Sequence, residues 1–182
     1  MPSDSERSTF RRLPAGLSLI RAAVRRWRLF QLTWLNRGKL HVHDPATVAI
    51  GTGANVAVPE FFEIEPHVSI GAYFMTHTNI RIGAESLLSS RVSFIGNDHD
   101  LYGSESAYFS GRTPPSTVIL EGNNFIGFGA TLCGNVTLGK GSIVGAHALV
   151  LESVPANAVV AGVPARIIAY RPGKEPESHV TS

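Results

Sequence analysis

Histidine is the side chain best suited to moving a proton near neutral pH, and one of the seven histidines of this chain has company that suggests such work. His99 lies in the run Asn97-Asp98-His99-Asp100, at the head of a stretch rich in glycine, proline and aromatic residues. A base there could take the proton of an attacking hydroxyl while a neighbouring carboxylate orients the ring. Asp98 and Asp100 equally suit an ordinary Asx turn, which is the preferred reading of them. Cys133, the single cysteine, would be the nucleophile of a covalent route. It follows an aliphatic position in a regular repeat with no histidine nearby in sequence, so a small packed thiol is expected instead. One cysteine forms no intramolecular disulfide, and without Cys-x-x-Cys or a histidine pair at ligand spacing no metal is expected.

The elements that must hold His99 are written in a period of six. Leu120, Ile126, Leu132, Leu138, Val144 and Val150 recur at every sixth position, and Asn124, Ala130, Val136, Ser142, Ala148 and Val154 follow each by four. The same phase runs through Ile64, Ile70, Ile82, Leu88 and Phe94, with Thr76 as its exception. Neither an α-helix nor a strand has this period, but a coil that turns a corner every six residues does, and three flat faces make a triangular turn. The aliphatic residue points inward, and Gly127, Gly139 and Gly145 stand where a side chain would collide or φ is positive. Around Pro59-Glu60-Phe61-Phe62 the phase slips by two residues, which predicts a bulged corner. Between Asp100 and Val118 it vanishes, which predicts an excursion loop over residues 100–118.

The charge is divided unequally. Residues 1–39 carry a net charge of +7 and residues 40–182 carry −5. A folded body that is acidic does not suit nucleic acid. Residues 1–40 form a basic helical extension, with an amphipathic helix over 13–35 whose apolar positions include Leu13, Leu17, Ile20, Val24, Trp27 and Leu35. Residues 41–170 form the repeat domain, and residues 171–182 a polar tail. Arginines interrupt every long apolar run, so no span of a bilayer and no secretory leader is expected. The expected location is the cytoplasm, with the inner membrane face as a further option.

The run IGFGATLCGNVTLGKGSIVGAHALVLESVPANAVVAGVPARII, residues 126–168, closely resembles the hexapeptide-repeat acetyltransferases of the galactoside, maltose, nodulation and xenobiotic group. The resemblance reaches back through IGAESLLSSRVSFIGNDHD, residues 82–100. It implies an all-β fold, a left-handed parallel β-helix with an N-terminal helical segment, assembled as a homotrimer with the active site between prisms. It implies acetyl-CoA as donor, transfer to a hydroxyl of a sugar or polysaccharide precursor, and His99 as the base. Phe128 and Ala146 match positions beside the pantetheine arm, and Phe125 matches a tryptophan at the thioester end. Arg166, with Arg171 as helper, matches the cation for the 3′-phosphate, whereas Glu152 replaces a frequent lysine. Ser69, His77, Asn97 and Asp100 stand on the acceptor side, where Ser69 and His77 replace an asparagine and an aspartate of sugar-binding members.

Three other readings compete with this one. The same prism serves γ-type carbonic anhydrases, but their histidine spacing is missing here. A non-catalytic scaffold would have no need of His99 and its loop. Transfer to an amine, of an amino sugar or a xenobiotic, is the alternative within the family. For the N-terminal helix a cap over the open end of the prism is preferred, and peripheral contact with an anionic membrane through Trp27 and Trp34 stays open.

Overall fold

The computed structural model describes residues 15–96, 99–100 and 103–174. A helix, α1 (Ala15–Leu35), precedes strands of two to five residues: β1 (Leu40–Val42), β2 (Ala49–Ile50), β3 (Asn55–Val56), β4 (Phe62–Ile64), β5 (Ser69–Ile70), β6 (Met75–Thr76), β7 (Asn79–Ile82), β8 (Leu87–Leu88), β9 (Ser93–Ile95), β10 (Thr117–Leu120), β11 (Phe125–Ile126), β12 (Thr131–Cys133), β13 (Val136–Leu138), β14 (Ile143–Val144), β15 (Leu149–Val150), β16 (Ala158–Ala161) and β17 (Arg166–Tyr170). They stack into three sheets, the walls of a triangular solenoid of about 6 turns. The first wall runs β1-β4-β7-β10-β13, the second β2-β5-β8-β11-β14-β16-β17 and the third β3-β6-β9-β12-β15. All pairings are parallel except β16 with β17.

The period of six builds this shape because each wall takes one inward aliphatic residue per coil and each corner tucks in the residue four positions later. Ile82, Leu120 and Leu138 stack on the first wall, Leu88, Ile126 and Val144 on the second, and Phe94, Leu132 and Val150 on the third, all buried. Each such side chain contributes about 1.5–3 kcal/mol by leaving water. Phe62, Phe74 and Phe94 fill the wider N-terminal part, with centroid separations of 6.2 and 5.2 Å. At Gly127 a Cβ would come within 2.5 Å of the Ala146 backbone nitrogen. Close approach of the next coil, not positive φ, therefore dictates glycine there.

Regular coils advance by 18 residues, as from Ile64 to its partner Ile82. The first coil is longer: Val42 pairs with Ile64 and Ile50 with Ile70. Two of the four residues added between Val42 and Ile64 fall in the turn at 44–47, and the other two form the bulged corner at 59–62. Asn79 pins it, its Oδ1 accepting from the Glu60 backbone N–H at 2.9 Å and its Nδ2 donating to the Glu60 carboxylate at 2.9 Å.

Helix α1 lies over the N-terminal end of the prism, with Leu29 and Leu32 joining the core beside Leu40, Val48 and Ile50. The helical expectation holds, but the packed face is not the one that the periodic apolar residues suggest. Ile20, Val24, Trp27 and Leu35 are exposed, because the helix packs on the prism by the side that carries Leu29 and Leu32. At the other end β17 turns back antiparallel on β16, an element the sequence reading did not anticipate. Residues 175–182, most of the expected polar tail, lie outside the described residues, as do residues 1–14.

Core and surface interactions differ sharply in magnitude here. Phe74→Ala should lower stability by about 3–5 kcal/mol, read from urea unfolding. The exposed Glu63–Arg81 pair on the first wall should matter far less, at most about 1 kcal/mol. The Arg81 hydrogen bond holds the Glu63 carboxyl below its ordinary range, so the pair's contribution is present above that range and is lost as pH falls through the depressed value. The difference between wild type and Arg81→Gln in unfolding free energy should accordingly close on acidification.

Candidate active site

The prism pauses after β9 and resumes at β10 in unbroken register. Phe94 pairs with Leu132 and Ile82 with Leu120, so the pairing skips twenty residues beyond one regular coil. They form the excursion, which ends before the expected Val118 because Thr117 and Val118 already pair with Asn79 and Ile80 in β10. His99 pairs with Arg112 in an isolated antiparallel bridge, which closes the neck of the loop. The His99 ring is half-buried with Nδ1 screened from solvent. Asp100 is exposed, and its carboxylate lies where a Cβ on Gly103 would be 3.0 Å away. Asn97 and Asp98 fall outside the described residues. At the tip Tyr108 and Phe109 stack edge-to-face at 4.9 Å and are exposed.

Beneath the neck is a cluster of buried hydroxyl side chains. Thr76, the exception in the repeat, points inward, fully buried, with its Oγ1 3.4 Å from that of Thr78. Ser116, the residue before β10, is buried beside them, and its hydroxyl meets any Cβ placed on Gly96.

His77 occupies the same edge as His99, between the third and first walls. Its N–H donates to the Phe94 carbonyl at 3.2 Å, and the ladder continues through Ile95 to Cys133. Cys133 thus faces outward, half-buried, one coil from Ile95 and two from His77, instead of packing in the core as expected. Strand alternation explains this, since Leu132 takes the inward position.

The donor-side residues gather on another edge, between the second and third walls. Phe128 and Ala146 sit at corresponding corners of successive coils, and Arg166 begins β17 at the same edge, where the Ala165 N–H donates to the Leu149 carbonyl at 2.7 Å. Arg171 does not join them. It follows the far end of β17, at the opposite edge, where its guanidinium donates to the Asn123 carbonyl at 3.2 Å. Ser69 and Phe125 share an outward column on the second wall, separated from both histidines by the width of the prism. One chain therefore sets Phe128, Ala146 and Arg166 along one edge, and His77 and His99 along another.

The donor edge carries a ladder that the sequence reading missed. The Arg91 guanidinium lies 6.0 Å from the Tyr73 ring centroid and 5.8 Å from that of Phe128, which meets the His147 ring at 5.3 Å. Tyr73, Arg91 and His147 all take positive φ at equivalent corners. The eighteen-residue steps from Tyr73 to Arg91 and from Gly129 to His147 could have revealed it, but the inserted loop breaks that series.

A hexapeptide-repeat solenoid with a histidine at the neck of a single excursion is the class that the fold and these residues define. Comparison with known proteins places acetyltransferases beside it. The chain is 29% identical over 115 residues to the Escherichia coli K12 protein named as a lipopolysaccharide biosynthesis O-acetyl transferase, WbbJ, covering 59% of each chain. It is 32% identical over 158 residues to serine acetyltransferase of Salmonella typhimurium, covering 86% of this chain and 53% of that protein. The chain thus spans somewhat over half the length of these curated relatives. No protein-family profile matches. In structure it superposes on AntD, an N-acyltransferase from Bacillus cereus in complex with dTDP and coenzyme A, with a TM-score of 0.55, 24% identity and coverage of 73% of this chain and 78% of that one. It also superposes on a hexapeptide-repeat containing acetyltransferase from Vibrio cholerae, with a TM-score of 0.53, 24% identity and coverage of 72% and 66%. These likenesses show the fold, a left-handed parallel β-helix.

The packing at the loop neck generates a paired test. Gly96→Ala should lower the thermal midpoint by several degrees because the new methyl meets Ser116 and Thr78. Adding Ser116→Gly removes most of the collision, so the double variant should regain stability relative to Gly96→Ala, a coupling that a double-mutant cycle measures.

Proposed function

We propose that the chain is an acetyl-CoA-dependent O-acetyltransferase of a sugar or polysaccharide-precursor hydroxyl, working as a homotrimer with His99 as general base. The observation that carries this reading is the placing of His99 at the neck of an insertion that leaves the prism's register intact. The imidazole takes the hydroxyl proton as the oxygen attacks the thioester carbonyl carbon. The tetrahedral adduct then collapses, the C–S bond breaks, and the departing CoA sulfur takes the proton from the imidazolium. A base so placed is worth about 10²- to 10⁴-fold.

Acetyl-CoA supplies the acyl group, and Phe128, Ala146 and Arg166 form the edge along which it would lie. Arg166, exposed at that edge, is the cation for its 3′-phosphate. The donor edge and the His99 edge belong to different corners of one prism. Three prisms side by side would set the loop of one against the donor edge of the next, and this supports the trimer. Leu87 and Phe125, exposed in one column on the second wall, are surfaces that such a neighbour would cover. His77, Asn97 and Asp100 remain acceptor-side assignments, with Ser69 reachable only from a neighbouring copy. Transfer to the amine of an amino sugar would use the same base and donor edge.

His99→Gln should reduce kcat by at least about 10²-fold with little change in KM for acetyl-CoA, followed as free CoA release over a panel of sugars, amino sugars, serine and chloramphenicol. Full activity of the variant on an acceptor that the wild type uses would overturn the assignment. Arg166→Ala should raise KM for acetyl-CoA about tenfold and leave KM for its 3′-dephospho form unchanged, as measured by initial rates.

A further inference from the structure

We infer that the outer face of α1 is a docking surface for an anionic lipid bilayer. Leu19, Ala23, Trp27, Phe30 and Trp34 follow one another at steps of four, four, three and four residues, so they share one stripe of the helix, and every one is exposed. Leu29 and Leu32, which pack on the prism, lie on the other side. The body thus holds the helix by one apolar face and presents a second, more aromatic one outward. Both tryptophans of the protein are on it, 59% and 73% exposed, and the Trp27 and Phe30 rings lie 6.0 Å apart.

The charge selects the occupant. No Asp or Glu occurs from position 7 to position 43, a stretch with nine Lys or Arg. Exposed Arg26 borders the stripe, and Arg37 lines a groove of about 620 Å³ with Phe30, Thr33, Trp34, Leu35 and Gly38, so a basic residue shares the groove with the aromatic ones. Aromatic residues at the depth of lipid headgroups with arginines among the phosphates is the arrangement of a helix lying in a membrane surface. A second copy fits less well, because the helix covers an end of the prism. In a side-by-side trimer the three stripes would face outward at one end, where a flat bilayer reaches all of them and a lateral neighbour does not. Among the described residues no helix is long and apolar enough to cross a membrane.

The test uses the full chain with vesicles of phosphatidylcholine, with and without phosphatidylglycerol, at low and high salt. The wild type should co-sediment with the anionic vesicles only, with tryptophan emission shifting to the blue and binding weakening as salt rises. Leu19→Ser/Phe30→Ser keeps both tryptophans as reporters and should bind at least about tenfold more weakly, with unchanged circular dichroism. Arg26→Gln/Arg37→Gln should lose the salt-sensitive part alone. Absence of binding to anionic vesicles at low salt, or equal binding by the serine variant, would overturn the inference. So would tryptophans already shielded from acrylamide without vesicles, if the serine variant exposes them and lowers the oligomer mass, because a second copy would then be the occupant.

Discussion

The coil-to-coil hydrogen-bond ladder is the interaction on which this protein depends. Its strands have two to five residues, too short to be stable alone, and each is satisfied only by the coils above and below. The ladder works only if successive coils keep register, and register holds only if the same corner of every coil buries the same kind of side chain. The aliphatic columns, the glycines under neighbouring backbones and the Asn79 clamp at the bulged corner all serve that condition. The excursion loop is tolerated for the same reason. Both of its ends are fixed by strands already paired to their neighbours, so twenty extra residues displace nothing in the prism.

Register also decides where chemistry can stand. Inward positions are committed to packing, and outward positions in mid-wall are flat, which leaves the three edges. His77 and His99 occupy one, and Phe128, Ala146 and Arg166 another. The interior of this solenoid is filled by its own side chains, so a site is made from edges. The buried Thr76, Thr78 and Ser116 under the loop neck mark the place where the aliphatic rule was relaxed to seat the excursion.

Much of this was legible in the sequence, for definite reasons. An inward wall position tolerates little besides an aliphatic residue, so the repeat announces itself, and its lapse between Asp100 and Val118 announces the loop with His99 at its head. Features that depend on long-range partners were not legible. The direction of Cys133 follows from strand alternation around Leu132, and the outlying position of Arg171 from a strand, β17, that reverses on β16. The residues Arg166–Tyr170 carry no period that distinguishes a returning strand from an extended exit. The helix misled in a more instructive way: it has two apolar faces, and periodicity alone does not say which one the prism takes.

The reversal at β17 bears on how such a protein stays finite. A stack of parallel coils is a growing surface, since its last coil offers the next chain the same unpaired edge that the coil before offered to it. Helix α1 blocks growth at the first coil. At the last one β17 replaces the template on the second wall with a strand running the wrong way, bounded by Arg166 and Arg171. An arriving coil would meet the wrong polarity on one of its three faces, and a coil is stable only when all of its faces pair. A fold built on the geometry of a fibre is thereby kept to a fixed length.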